Sequence, residues 1–520
     1  MSLDTDIVVV GAGPTGLTLA LQASMMGTSV RILERRSTPR PWAPALAIHP
    51  RTMEILRGLG AADELLVKGL SRVDLRIHVG GSTVVGSLGD LHLPATEYPF
   101  IFFAPQPEVE HVLRHRLAAF GVEVEWGCEL KDLVQDAGGV VCRVEAADER
   151  RRISARYLVG CDGAESTVRN ELEVRFRGRS YRESILVADT AVTRDLEGGA
   201  AHAFMTAKGV LFFFPLPSGG WRLIGPGRDG EAPADVQALV DHHTSGEVRL
   251  GDLDWIKVIR PQHRLAEAYR RKRVFLAGDA AHVHSPAGAQ GMNTGIQDAA
   301  NLGWKIGLSV RGAPDLLLET YETERRPVAR QVVRLTGLAY ALEVSELAPL
   351  RWGRRWAARP IAGLLLPHPR LTSVVARAVS GLDTRYRHGA IDHSRFPWHR
   401  FGAGRRLPDG EIVSGQIPRL HRHIDAGGFH LLLSDSVSQA DEDLLSASHP
   451  DIVRVHRPGR MTSKSWGRIG WALVRPDGYI ASSGEAADLG DADRYLRRWL
   501  GQSEATRSRL QESNRNTAHR

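Results

Sequence analysis

The sequence predicts an α/β fold: a discontinuous Rossmann-like nucleotide-binding domain, interrupted by an inserted β-sheet domain and followed by a small α/β domain. Three observations predict it. A strand, a glycine turn and a helix open the chain in the order that a dinucleotide site requires. The same kind of buried strand returns at 157–160 and again at 273–277. Between these returns the chain is rich in short strands separated by glycine and polar turns, so a sheet is inserted into the parallel layer.

The opening unit is residues 4–36. Ile7–Val10 is a continuous apolar run of the kind buried on both faces of a parallel sheet. Gly11, Gly13 and Gly16 form G-x-G-x-x-G: the first permits a tight turn, the second lets a diphosphate approach, the third lets helix and strand pack closely. Pro14 begins the helix, where its missing N–H costs little, and Gly27 ends it. A second strand, Val30–Leu33, delivers Glu34, 18 residues after Gly16, where a carboxylate should accept hydrogen bonds from an adenosine ribose. The motif alone does not choose between FAD and NAD.

Arg35–Pro50, with four prolines, reads as a loop, and Arg51–Leu66 as one amphipathic helix with Met53, Leu56 and Leu59 on one face. Residues 73–103 carry short strands around Gly80-Gly81. Pro107 opens a helix over Glu108–Phe120, and strands follow at Val122–Trp126 and Gly139–Glu145. The buried strand at Tyr157 ends in Cys161-Asp162-Gly163. Residues 175–265 are strand-rich again, notably Gly209–Pro215 and Trp221–Gly225. Gly225-Pro-Gly-Arg-Asp-Gly also fits G-x-G-x-x-G, but charged residues lie inside it and no buried strand with a terminal acid follows, so it reads as a decoy.

The expected division is a nucleotide-binding domain of 1–72, 104–174 and 266–341, a sheet domain of 73–103 and 175–265, a helical linker at 342–400, a small α/β domain at 401–500 and a disordered polar tail at 501–520. The totals agree: 520 residues are long for one core. No signal-type apolar segment precedes the first strand, and the longest later apolar run, Ile361–Leu366, is too short to cross a bilayer. A cytoplasmic protein with no membrane association is expected, as monomer or homodimer.

Three cysteines, Cys128, Cys142 and Cys161, support neither a disulfide framework nor a zinc site. The pairs His282/His284 and His421/His423 lack partner ligands at metal-site spacing, so no metal is expected. Net charge is +7, yet lysine occurs only seven times and arginine supplies the other 60 cations. That bias reads as a codon habit, not as phosphate binding. The densest basic run, Arg351-Trp-Gly-Arg-Arg-Trp, fits a solvated helix face or an interdomain contact, and no nucleic-acid partner is expected.

Residues 274–305 decide the cofactor. A buried strand ends in Gly278-Asp279, and a loop with Pro286, Gly288 and Gly291 leads to a helix beginning near Asn293. Asp279 can accept hydrogen bonds from vicinal hydroxyls, as on a ribityl chain. The glycines let backbone press against a flat ring, and the helix N-terminus offers N–H groups to the negative charge that a flavin develops at its N1–C2 edge on reduction.

Here the chain resembles the single-component FAD-dependent aromatic hydroxylases, the group of para-hydroxybenzoate and phenol hydroxylases. The resemblance rests on the glycine turn with Glu34, on Cys161-Asp162-Gly163 with Ser166 and Arg169, and on Gly278-Asp279. It continues through Pro286-x-Gly-x-Gln-Gly-x-Asn and Asp298-Ala-Ala-Asn-Leu-x-Trp-Lys, and spans about residues 4–330. The length and the Arg475-Pro-Asp-Gly-Tyr stretch are similar to the subgroup acting on polycyclic polyketides, which carries a C-terminal thioredoxin-like domain. Residues 401–500 contain no cysteine, so such a domain has no dithiol chemistry.

The resemblance implies FAD with its diphosphate on Gly11, Gly13, Pro14 and Gly16, and its adenosine ribose at Glu34 and Arg35. Asp279 with Gly278 would serve the ribityl and diphosphate region, and Gln106 would lie near the flavin. Pro286, Gly288, Gly291, Met292 and Asn293 would lie at the ring, the amides of the last three facing its pyrimidine edge. Asp162-Gly163 would serve both FAD and the nicotinamide. Pro44 stands where many relatives have a cofactor-touching arginine, and Arg40 or Arg36 are the local substitutes.

The implied reaction is reduction of FAD by NADPH or NADH, capture of O₂ as a flavin C4a-hydroperoxide, and hydroxylation of an aromatic, polyketide-type small molecule. Phe212, Phe214, Pro215, Arg222 and Pro286 are the pocket candidates. Which of Phe212, Phe213 and Phe214 face inward depends on register, and core packing is the alternative for each. Arg222 faces either substrate and flavin or solvent. No catalytic acid–base set is visible. Baeyer–Villiger insertion into a ketone is the nearest alternative outcome, and a flavin-bearing binding protein without turnover the alternative of a different class.

Overall fold

The computed structural model describes residues 3–146, 149–194, 196–227, 235–344, 358–365, 368–390, 400–412, 419–458 and 469–500. The Arg351–Trp356 run, the 228–230 end of the decoy motif and the 501–520 tail lie outside them.

By contacts the chain forms two compact units. The first, residues 1–20, 30–299 and 327–383, is built on two large sheets. The eight-stranded sheet has a parallel centre in the order Val274–Leu276, Glu149–Gly160, Thr5–Val10, Val30–Glu34, Val124–Trp126. Its inner strands are buried on both faces, as their unbroken Val, Ile and Leu runs require. The hairpin Cys128–Gln135 and Val140–Ala146 continues antiparallel from Glu149–Gly160. Strand order reverses on either side of Thr5–Val10, and the pairs Val10 with Gly160 and Gly160 with Leu276 bring three C-terminal tips level. In open α/β sheets ligands bind at such a reversal.

The seven-stranded sheet runs Arg249–Ile259, Ser184–Arg194, Trp221–Gly227, Gly209–Pro215, Ala200–Thr206, Asp74–Val79, Ser82–Ser87, all antiparallel except the Ala200–Thr206 and Asp74–Val79 pair. The Asp74–Ser87 hairpin turns on Gly80 and Gly81, both at positive φ. The segment that supplies most of this sheet is closed at its base by antiparallel pairing of Phe176–Ser180 with Gln262–Ala266, and His282–Val283 adds to the latter. One face packs Leu186, Phe204, Leu211, Phe213 and Leu223 against the helix Val236–Thr244.

The second unit comprises residues 21–29, 300–326 and 384–520. Its four-stranded sheet runs Val453–His456, Phe429–Leu433, Trp471–Val474, Ile480–Gly484, only the first pair parallel. Trp304, Leu308 and Leu317 join Phe429, Leu431, Trp471 and Trp499 in one core. That burial places 300–326 in this unit.

The helix expected over Arg51–Leu66 is two helices, Pro50–Gly58 and Ala62–Leu66. Gly60 at φ +71° lies between them, and a left-handed residue ends a helix. The helix expected near Asn293 begins at Gln290 and runs to Val310. All three cysteines are free and buried, and burial pushes the Cys142 thiol up to about 12. Among the described residues no helix is long and apolar enough to cross a membrane.

Candidate functional site

The three level strand tips carry the three fingerprints. Gly11 N–H donates to Leu33 O, Cys161 N–H to Val10 O, and Ala277 N–H to Gly160 O, so each turn is tied to the neighbouring strand.

The glycines here divide into two classes. Some are required by protein packing: a Cβ on Gly11 would lie 2.4 Å from Cys161 O, and one on Gly16 2.0 Å from Gly11 O. A Cβ on Gly278 or Gly295 would lie within 2.6 Å of Thr15 Oγ1. Others face open space: nothing lies within 4 Å of a Cβ built on Gly13, Gly163 or Gly288, and only the His284 ring edge, at 3.9 Å, on Gly291. Gly163 and Gly288 are left-handed, at φ +85° and +72°, which itself calls for glycine; at Gly13 and Gly291 neither packing nor φ does, and the exposed backbone there leaves room for a ligand's approach. The decoy behaves like the first class: a Cβ on Gly225 would lie 2.5 Å from Leu211 Cδ1 and one on Gly227 2.8 Å from Ile185 C, both inside a strand.

The acidic residues follow the same geometry. Asp162 accepts from Val168 N–H at 3.1 Å through Oδ2, while its buried Oδ1 has no partner among the described residues. Burial raises its pKa. Asp279 opens to solvent at the end of its strand, yet protein crowded around it raises its pKa too. Arg169 links these two tips, donating to Ala280 O and Ala164 O. Asp298, on the helix Gln290–Val310, braces the Gly278 turn: its Oδ2 accepts from Gly278 N–H and from His282 Nε2 at 2.6 Å.

Glu34 is buried at the glycine turn, where Oε2 accepts from Ala12 N–H at 2.9 Å. The Arg36 backbone and guanidinium also donate to this carboxylate. Three of a carboxylate's roughly four lone-pair sites are thus taken, so a ribose that engages it through both hydroxyls would have to move the Arg36 side chain aside. Arg35 and Arg40 are exposed. Gln106 N–H donates to Ala45 O, and its side chain to Glu110.

The turn before Gln290 is left-handed at Gly288 (φ +72°) and at Ala289 (φ +52°). Pro286 is exposed beside it, and Gly291 and Met292 are half-buried. Asn293 is fully buried and engaged at both ends of its amide: Oδ1 accepts from His49 N–H, and Nδ2 donates to Ala47 O and Ala289 O. Its side chain therefore holds protein, and its contribution to a ligand is confined to the backbone.

Pairing resolves the phenylalanine register. Phe212 lies opposite Ile224, Phe213 opposite Leu223 and Phe214 opposite Arg222. Phe212 and Phe214 share one half-buried face, stacked at 5.7 Å, and Phe103 stacks on Phe214 at 5.8 Å. Phe213 and Pro215 fall on the opposite face with Trp221. Arg222 is 2% exposed, which removes the solvent-facing reading. It pairs bidentately with Asp189 at 2.7 Å, and NH1 donates to Pro44 O and Ala45 O. Every arm of the guanidinium is thus engaged within the protein.

The open glycines, the orphaned Asp162 oxygen and the Asp279 strand tip at a sheet reversal fit a dinucleotide with a flat ring. Residues 4–336 match the family described as "FAD binding domain", and residues 401–503 the family "Aromatic-ring hydroxylase, C-terminal". The chain belongs to the FAD-binding aromatic-ring hydroxylases. It is a flavin-dependent monooxygenase, and FAD is its cofactor.

Relatives of this hydroxylase match over nearly their whole length. The 12-dehydrotetracycline 5-monooxygenase/anhydrotetracycline 6-monooxygenase of Streptomyces rimosus subsp. rimosus is 34% identical, with 95% of this chain and 99% of the relative covered. The structure of anhydrotetracycline hydroxylase from Streptomyces rimosus superposes with a TM-score of 0.79 at 32% identity, covering 96% of this chain and 99% of that one. A ternary complex of aklavinone-11 hydroxylase with FAD and aklavinone gives a TM-score of 0.78 at 26% identity, covering 96% and 100%.

The hydroxylase contains site residues that sequence reading missed: His49, Asp189, Asp298 and Thr15. His49, Asp189 and Thr15 act through partners far away in the chain, Asp298 through Gly278 and His282 in its own stretch. Asp298 stood in the Asp298-Ala-Ala-Asn-Leu-x-Trp-Lys stretch that carries the resemblance, though without a role, and pairing of strands 184–194 and 221–227 sets Asp189 opposite Arg222.

Proposed function

We propose that this hydroxylase oxygenates a planar polycyclic phenol of polyketide type, taking electrons from NADPH or NADH and oxygen from O₂. The observation that carries the reading is the half-buried aromatic wall of Phe212 and Phe214, with Ile224 on the same face and the buried Phe103 stacked behind Phe214. Flat rings stack on such a wall in offset fashion. The tetracycline-pathway relatives support the substrate class.

When bound, FAD supplies the redox chemistry that delivers one oxygen atom of O₂ to an electron-rich ring. The protein binds, orients and excludes water. Gly11, Gly13, Pro14 and Gly16 hold the diphosphate at the helix N-terminus, with Glu34 and Arg35 at the adenosine end and Gln106 nearer the ring. Gly278 and Asp279 hold the ribityl chain, and Asp162-Gly163 is shared with the nicotinamide. The N–H groups at Gly291, Met292 and Asn293 meet the pyrimidine edge, with Pro286 and Gly288 beside it. The substrate phenol supplies its own ionisable group, so no protein base is required.

In this reading residues 1–72, 104–174 and 266–341 are the discontinuous FAD domain, and 73–103 and 175–265 the substrate sheet domain. Residues 342–400 link them to a thioredoxin-like domain at 401–500 that has lost its redox cysteines, supported by the four-stranded sheet with helices Gln439–Ser448 and Gly490–Leu500.

The test is turnover of anhydrotetracycline and related tetracyclic phenols with NADPH or NADH under ¹⁸O₂. One ¹⁸O in a new phenolic hydroxyl is expected. A labelled lactone indicates Baeyer–Villiger insertion instead, and FAD that stays oxidised under excess nicotinamide overturns the reading. In the same assay Phe214→Ala should raise KM about five- to tenfold with kcat little changed, as the loss of about 1 kcal/mol of stacking predicts.

A further inference from the structure

We propose that His49 is a positioning residue for the flavin ring: its Nε2–H captures the Gly288 carbonyl and so fixes the turn that aims the N-terminus of helix Gln290–Val310 at the pyrimidine edge. The inference rests on the reading above that this edge lies at residues 291–293.

The turn is strained where it matters. Gly288 and Ala289 are left-handed in succession, and for alanine that conformation costs about 1 kcal/mol. Such a turn persists only when its surroundings hold it. Both carbonyls of the left-handed pair are held. Gly288 O accepts from His49 Nε2 at 2.9 Å, and Ala289 O accepts from Asn293 Nδ2 at 2.7 Å. A trans peptide points its N–H opposite its C=O, so capturing Ala289 O turns the Gln290 N–H away from Asn293.

The segment that does the holding is itself fixed. Ala47–Ile48 pairs with Phe102–Phe103, Pro50 starts a helix directly after His49, and His49 N–H donates to Asn293 Oδ1. His49 is 4% exposed, and burial lowers its pKa to about 4, so at neutral pH the ring carries a single N–H. The Gly288 carbonyl commits that proton to Nε2. Nδ1 is buried with no partner among the described residues. A protein that needed only packing here would use leucine, which leaves no orphaned nitrogen.

The experiment compares full-length wild type, His49→Leu and His49→Gln, each stripped of FAD and titrated with it. The glutamine amide places an N–H where Nε2 stands. Dissociation constants come from flavin fluorescence, and midpoint potentials of the bound FAD from dye-coupled reduction. His49→Leu should weaken FAD binding about tenfold, the worth of one buried hydrogen bond, and make the potential more negative because the charge formed on reduction is less well met. His49→Gln should restore both to within about threefold and close to the wild-type potential.

If His49→Leu does not fold, His49→Asn, whose amide is too short to reach Gly288, must show the same changes. Wild-type affinity and potential in His49→Leu, or equal loss in the leucine and glutamine variants, overturns the proposal. Wild type that takes up no FAD overturns the underlying reading as well, and so is distinguishable.

Discussion

Gly16→Ala should yield a protein that no longer retains FAD and arrives colourless. The added Cβ would lie 2.0 Å from Gly11 O and 3.2 Å from Val9 Cγ1, both inside the strand–helix joint. Backbone cannot retreat as a side chain does, so the helix Pro14–Met25 must move off the sheet and take with it the amides proposed above to hold the diphosphate. Overpacking of this kind costs about 1–3 kcal/mol of stability. The ligand loses more, because its contacts depend on geometry held within about 0.5 Å; a fall in FAD affinity of at least about a hundredfold is expected.

Gly13→Ala is the informative companion. Nothing in the protein lies within 4 Å of its Cβ, so the variant should fold with an unchanged unfolding midpoint and still lose FAD. Equilibrium dialysis beside thermal unfolding checks both. A Gly13→Ala protein that binds FAD normally would mean that the space above Gly13 is not the diphosphate site.

The second large effect is expected at Arg475. Arg475, Glu324, Asp477 and Lys305 form a buried cluster in the second unit, with Arg475, Glu324 and Lys305 fully inaccessible. The two positive and two negative charges balance. Arg475 donates to both Glu324 oxygens, to Asp477 and to Ala390 O, and Lys305 Nζ donates to Glu324 and Asn301.

Arg475→Met would leave two carboxylates facing one ammonium in a fully buried site. Breaking a buried pair in this way costs about 3–5 kcal/mol. Urea unfolding followed by tryptophan fluorescence should show it, since Trp304 packs against the Arg475 guanidinium and shares a core with Trp471. A midpoint within error of wild type would show that the cluster contributes nothing net.

The same cluster sets an acid limit. Glu324 is held at about 2, against 4.5 for an ordinary glutamate, by Arg475 and Lys305 overcoming the cost of burial. A depressed carboxyl pKa stabilises the folded state above the unfolded value. That stabilisation should therefore be complete above about pH 5 and fade as pH falls from about 4.5 toward 2. The loss, read as the urea midpoint against pH, should be absent in Glu324→Gln.

The local grammar of the site was readable because it is local: a glycine turn with its acid, a strand ending in Gly-Asp, a proline–glycine loop before a helix. What could not be read depends on register and on distant partners. The run Leu211-Phe-Phe-Phe has no polar alternation, so nothing within it marks which ring faces inward; only pairing with Ile224, Leu223 and Arg222 assigns the faces. Arg222, on an alternating strand, read equally as facing substrate and flavin or as facing solvent. It is occupied by Asp189, 33 residues before it, and by the carbonyls of Pro44 and Ala45. Asn293 belonged to a recognised loop, yet its side chain serves Ala47 and His49. The single helix expected over 51–66 failed on Gly60, whose φ overrides an otherwise continuous apolar face.

The antiparallel neck that pairs Ser180 with Gln262 and Phe176 with Ala266 gives this chain a ready-made seam. Everything between those pairs, with the Asp74–Ser87 hairpin as a second piece, is a cassette whose ends already meet in register. Chimaeras cut at this seam exchange the inserted sheet for a relative's and leave the three strand tips untouched.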